Sequence, residues 1–366
     1  MPSSLNAVAR RRLVNQHLLS PTLREATAVV RVLGAVQSQD YGAAKWAIAQ
    51  RAKGLTDVHI DQVFAGGALL RTHVLRPTWH FVLPEDARWM LELTAPRIRG
   101  AMAYYNRTLE LDATVFRASH QAMERALRDG RYLTRVELSA ALGRAGVDVS
   151  SGQRVGNLLM QAELDGVIIS GPRRGKQFTY ALFDERVPPA ARRDRDDALH
   201  DLTLRYFATR GPATLQDFAW WSGLTVADAK RGVETASRSL LREALDGEPY
   251  WSAPAGPAPH RWRRVAHLLP NYDEYFIGFK DRSAFAERLG CVVTQARFDA
   301  LMGHVVFVDG QIVGGWRRSL GATADVELRL LVKLSAAERS LVRRATRRFG
   351  EFLRLPVRLV HRRRSR

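Results

Sequence analysis

The chain has 366 residues, enough for two or three domains with cores of their own, and its 46% hydrophobic and 25% charged content is ordinary for a soluble globular protein. A surplus of 56 lysines and arginines over 37 aspartates and glutamates gives a net charge of +19, so a polyanionic partner is expected, nucleic acid before an anionic membrane surface. One cysteine, Cys291, excludes an intramolecular disulfide and makes a zinc–thiolate cluster implausible. The first 19 residues hold three arginines and no continuous apolar core, unlike a signal peptide. No window approaches the roughly 18 apolar residues of a membrane span, and a cytoplasmic protein is the expectation. The bland reading of the charge is an arginine-rich composition that only keeps the chain soluble.

In chain order, a helix over about Asn6–Leu19 comes first. Thr22 and Glu25 have the spacing of a capping box before the apolar face Leu23, Ala26, Val29, Val30 and Leu33. A second helix over about Ala43–Arg51, a third over Thr56–Ala65 and strand-like stretches Leu69–Leu75 and Trp79–Leu83 follow. Helices followed by a two-stranded ribbon are the order of a winged helix. Pro84-Glu85-Asp86 starts another helix, with proline and acids where they belong. Residues 112–190 repeat the order. Thr134 and Glu137 form a capping box, Ser151–Leu164 is helical, and Val167–Ser170 and Gln177–Ala181 make a hairpin with Arg173, Arg174 and Lys176 at its tip. After a charged linker over 186–197, residues 198–252 give a third pass, with Thr214 capping one helix and Thr225/Asp228 opening the next. Beyond a Pro/Ala/Gly-rich linker, residues 261–366 read as α+β. Their clearest feature is a hairpin, His304–Val308 and Gln311–Arg318, turned by Asp309-Gly310 in the type I′ manner. The fold expected is therefore α+β: tandem winged helices over 1–111, 112–190 and 198–252, then a C-terminal α+β region.

Between the helical face that ends at Leu33 and the helix over about Ala43–Arg51 lies Gln37-Ser38-Gln39-Asp40-Tyr41. In an extended chain the two glutamines project to one side; in a helix they diverge by about 200°. Neutral amides both donate and accept without changing charge. Such a pair can hold a water against a reacting carbon or read a base edge, or it can simply cap a helix. Arg173, Arg174 and Lys176 suit a phosphate backbone, as do Arg317 and Arg318, although loop tips are often merely solvated. The ten arginines of the last 24 residues either bind DNA or form a basic tail. His73, His80, His267 and His304 lack ligand spacing and read as satisfied, partly buried rings. Asp273 and Glu274 fit a helix cap, an arginine partner or a ribose contact. No metal or cofactor is expected.

These motifs, with Arg76-Pro77-Thr78-Trp79-His80, Tyr272-Asp273-Glu274-Tyr275 and Val308–Gly314, resemble the bacterial winged-helix DNA glycosylases over nearly the whole chain. The likeness is to the AlkZ type, with glutamine at both motif positions, rather than the related YcaQ branch with aspartate at the second. Ser38 is more polar than the usual middle residue. The resemblance implies a C-shaped, monomeric enzyme with a basic concave face. It implies excision of N7-alkylated purines and unhooking of interstrand crosslinks by Gln37 and Gln39, in self-protection against an alkylating natural product. It also implies double-stranded DNA as partner and a nucleoid location. The competing class is a winged-helix transcriptional regulator; a third of the chain, beyond residue 252, exceeds what such a regulator needs.

Overall fold

The computed structural model describes residues 4–254, 262–290 and 303–360. Cys291 and the final arginine run at 361–366 lie outside them.

One order of elements recurs three times. Helix α1 (Ser4–Asn15) leads into α2 (Ala26–Leu33), the short strand β1 (Val36–Gln37), α3 (Tyr41–Ala49), α4 (Asp57–Ala65) and the hairpin β2 (Leu70–His73)–β3 (Trp79–Val82), with sheet order β1-β3-β2. The 25-residue helix α5 (Pro84–Thr108), opened by its proline and acidic first turn, runs to the next unit. There α6 (Ala113–Leu127), β4 (Leu133–Thr134), α7 (Arg135–Arg144), α8 (Gly152–Leu164), β5 (Ile168–Ser170) and β6 (Thr179–Leu182) give the same order, β4-β6-β5. After the short α9 (Phe183–Arg186) come α10 (Arg195–Arg210), α11 (Leu215–Ser222), α12 (Val226–Thr235) and the hairpin β7 (Leu241–Leu245)–β8 (Glu248–Ser252). Here a single bridge from Ala213 to Trp251 stands where the short strand stood before.

Local chemistry explains most of these starts. Thr134, Thr214 and Thr225 each accept from the amide three residues on, while Glu137, Asp217 and Asp228 reach back. The box expected at Thr22 and Glu25 does not form. Helix α2 begins at Ala26 with no side-chain cap, because Thr22 bonds His17 instead and Leu23 is drawn into a bridge with Ala52.

The remaining region is a five-stranded sheet, β13-β12-β11-β10-β9, covered by one helix. It comprises β9 (Ala266–Leu269), the short α13 (Glu274–Ile277), β10 (His304–Val308), β11 (Gln311–Leu320), β12 (Ala324–Leu330), helix α14 (Ala336–Leu353) and β13 (Val357–Val360), which runs parallel to β12. Residues 266–269 thus form a largely buried strand at one edge of this sheet. Asp309 and Gly310 both take positive φ, as a type I′ turn requires. Gly314 is needed for a different reason: a Cβ there would lie 2.3 Å from the Arg329 carbonyl oxygen of the neighbouring strand.

Among the described residues one core is built from the second unit alone, one joins the first unit to the terminal sheet, and one draws on all four regions. The indole of Trp46 on α3 packs 5.2 Å from Phe349 on α14 and donates to the Leu268 carbonyl, so the first unit is fastened to the last third of the chain. No helix among the described residues is long and apolar enough to cross a membrane.

Candidate active site

Helix α2 stops at Gly34, whose φ of 80° few other residues adopt readily. The chain then runs extended through β1, where Gln37 stands opposite His80, and the Ser38 amide donates to the Trp79 carbonyl at 2.7 Å. It bends at Gln39 and enters α3, capped by Asp40 Oδ1 accepting from the Ala43 amide at 3.0 Å. Extended geometry therefore holds as far as Ser38. Gln37 is 7% exposed, Ser38 is fully buried and Gln39 is exposed. Among the described residues, no protein group bonds either glutamine's side-chain amide.

The backbone around those amides, by contrast, is held from several sides. Glu274 Oε1 accepts from the Gln37 amide at 2.9 Å, while its Oε2 takes Arg210 Nη2 at 2.6 Å and the Trp221 indole at 2.9 Å. Carboxylate and guanidinium are both fully buried. Burial alone would raise the Glu274 carboxyl; the Arg210 charge and the Gln37 amide outweigh it and hold it below its usual range. From the other side Arg71 Nε donates to the Ser38 carbonyl at 3.1 Å, with its guanidinium carbon 4.2 Å from the Trp79 ring and 4.3 Å from Phe178. Burial lowers the Arg71 pKa to about 10, leaving it charged at neutral pH. Sequence reasoning missed Arg71. The available signal was a cation within the strand-like stretch Leu69–Leu75.

The predicted cations divide. Arg173 folds back from the hairpin tip to lie 4.7 Å over Tyr41, two residues beyond Gln39, and it also faces Phe178. Arg174 is engaged by Glu137 at 2.6 Å and by the Tyr132 carbonyl, while Lys176 is exposed. Arg318 reaches Asp40 Oδ2 at 3.6 Å, which brings it to the glutamine loop from a strand 278 positions away in sequence. Arg317 is exposed on the opposite face of the same strand. Both arginines lie within β11, which continues to Leu320 rather than ending at them.

Asp273 and Glu274 act separately. Asp273 caps α13 and takes a bidentate pair from Arg51, 2.8 and 3.0 Å, inside the core. His73 is satisfied by Glu163 at 2.5 Å. His267 meets Gln50 Oε1 at 3.2 Å and the Leu18 backbone. His80, however, leaves Nε2 buried with no partner among the described residues, and the expectation of a satisfied ring fails there.

Two unspent neutral amides on a rigid loop, ringed by guanidiniums, suit an enzyme that excises a base from a polyanion: a DNA glycosylase. The chain belongs to the AlkZ-like DNA glycosylase family, whose model matches residues 30–352. An interstrand DNA cross-link repair glycosylase of Streptomyces sahachiroi is 28% identical over 393 residues, covering 98% of this chain and all of that protein. The solved structure of the Streptomyces sahachiroi DNA glycosylase AlkZ shares the fold, with a TM-score of 0.77, 24% identity, 98% coverage of this chain and 100% of its own. With membership of an enzyme family, the regulator reading falls away.

Proposed function

We propose that the protein hydrolyses the N-glycosidic bond of N7-alkylated purines and unhooks interstrand crosslinks joined through such positions, with Gln37 and Gln39 as its catalytic residues. The observation that carries this is the pair of free side-chain amides on a backbone fixed by Glu274 and Arg71. An N7-alkylated guanine already carries positive charge. When the bond to C1′ breaks, its electron pair neutralises the departing base, so little protonation is needed. What remains is an oxocarbenium-like sugar and a water to be aligned with it, which oriented amides accomplish by placement and electrostatics. The water oxygen bonds to C1′ and its proton leaves to solvent or to Asp40, the nearest carboxylate in sequence. The three recurring helix–helix–hairpin units are read as winged helices forming a basic concave surface. That surface admits a crosslinked duplex without a deep flipping pocket. The enzyme acts as a monomer on double-stranded DNA at the nucleoid, and self-protection against an alkylating natural product is its role in this reading. The relative named as a cross-link repair glycosylase supports the substrate class.

The test uses duplex DNA with a single N7-alkylguanine, in EDTA, with abasic product read by alkaline cleavage. Wild type is expected to give product. Gln37→Ala and Gln39→Ala should each lower the single-turnover rate by roughly 10²–10³-fold at unchanged DNA affinity. Product from the double variant at the wild-type rate would remove the glutamines from the mechanism.

The hairpin cations give a second expectation. Lys176→Ala should weaken DNA binding and reduce the slope of log K against log salt by about 0.9. Arg174→Ala should change the slope less, because its guanidinium already belongs to Glu137. Anisotropy titrations at several salt concentrations check this, and equal slopes for both variants and wild type would count against a phosphate contact at the tip.

A further inference from the structure

His80 sits beneath the catalytic loop and has no part in the chemistry above. Its ring is fully buried on β3. Nδ1 lies 2.9 Å from the Thr78 carbonyl, which can only accept, so the proton is on Nδ1 and Nε2 offers a lone pair. Among the described residues nothing donates to that lone pair. A buried acceptor without a donor is rare enough to need a reason.

The register supplies one. Gln37 and His80 are direct cross-strand partners. Side chains of directly opposed residues lie on the same face of a sheet, with Cβ atoms about 4.5–5.5 Å apart. The group facing the Nε2 lone pair across the ladder is thus an amide that has itself no protein partner. Around the pair stand Arg76, Glu274 and His73, all of which act on the His80 ring. Burial first, then the Arg76 charge, lowers its pKa to about 3, so the ring stays neutral at any working pH.

We propose that His80 is a positioning residue for Gln37: Nε2 accepts from the side-chain NH2, directly or through one water, and thereby turns the Gln37 carbonyl oxygen toward the reacting sugar. An amide has two ends of opposite polarity and a freely rotating terminal torsion. Only the carbonyl end stabilises a developing positive charge at C1′ and accepts from the attacking water. A lone pair that accepts and cannot donate selects that orientation. Ser38 Oγ, also buried and without a partner among the described residues, cannot make the same choice, because a hydroxyl both donates and accepts. The inference rests on the catalytic reading of Gln37.

The test has two arms. In the first, His80→Phe, which fills the ring volume without an acceptor, and His80→Gln, which restores one, are compared with wild type in single-turnover excision. His80→Phe should lower the rate by roughly 10–100-fold with DNA affinity and Tm little changed, and His80→Gln should recover much of it. In a Gln37→Ala background His80→Phe should add no further loss, whereas a merely structural role gives additive losses. In the second arm the Gln37 side-chain amide resonances, assigned by their disappearance in Gln37→Ala, are followed by 15N–1H NMR without DNA. They should shift in His80→Phe and return toward wild type in His80→Gln. Absence of product from wild type would fail the glycosylase reading alone, since the NMR arm needs no activity. Unmoved Gln37 resonances, or additive losses, would overturn the positioning role.

Discussion

Glu274→Ala is expected to destabilise the protein by about 3–5 kcal/mol, the largest cost of any single substitution considered. The carboxylate and Arg210 are both fully buried, and removing one partner leaves an uncompensated charge in the core. Three donors lose their acceptor together: the guanidinium, the Trp221 indole and the Gln37 amide. Arg210 cannot escape, since it also donates to the Leu33 carbonyl at 2.9 Å and stacks 4.3 Å from Trp221. Glu274→Gln keeps an acceptor but not the charge and should be milder. Combining Glu274→Leu with Arg210→Met should recover much of the loss, because a buried pair removed whole leaves no stranded charge. Urea unfolding measures all three. A Glu274→Ala midpoint within about 1 kcal/mol of wild type would show that water reaches and solvates Arg210. In variants that remain folded, the excision rate should fall as well, since the Gln37 backbone has lost one of its anchors.

Acid should destabilise the fold well above the pH at which carboxylates titrate. Burial, with Arg76 for His80 and with Arg348 and Arg51 for His267, lowers each of these rings to about 3 from the ordinary 6.5. His304 is lowered to about 4 by burial and Arg318. The sign follows from proton binding. Between pH 6.5 and those folded values the unfolded chain holds protons that the folded chain does not, so stability is fully present above 6.5 and declines as pH falls. Each fully buried ring steepens the dependence by up to about 1.4 kcal/mol per pH unit. Glu274, held low in the folded state, adds a loss of the same sign below its ordinary 4.5. Tm measured from pH 8 to 4 should therefore be flat at first and bend downward near 6.5. His267→Asn should soften the bend, and a Tm that stays level to pH 5 would contradict neutral buried rings.

What could be read in advance was whatever neighbours in sequence decide. The boxes at Thr134, Thr214 and Thr225 and the Asp309-Gly310 turn are local devices, and each is found where spacing put it. The Thr22–Glu25 spacing failed because Thr22 bonds His17, five residues back, and Leu23 is drawn into a bridge with Ala52. Strands β12 and β13 escaped notice, as β12 carries mixed charge and β13 follows a basic helix as a short parallel edge. For the site, the glutamines could be singled out but not their setting. That Glu274 would bond the Gln37 amide, or that Arg318 would meet Asp40, depends on contacts across more than 230 residues. Arg174 and Arg173 illustrate the same limit from the other side: three clustered cations look alike in sequence, yet one is paired, one lies over Tyr41 and one faces solvent.

The separation between Gln37 and its carboxylate anchor has a bearing on biogenesis. Synthesis runs from the amino terminus, so both glutamines and the first two hairpins exist while Glu274, 237 positions later, has yet to be made. Closing a contact over that distance is slow, because the loop's entropy is surrendered before the contact returns anything. A nascent chain can thus carry both glutamines before their backbone is anchored. Maturation of the loop is tied to docking of the last third, which makes its order a marker that the whole chain has been assembled.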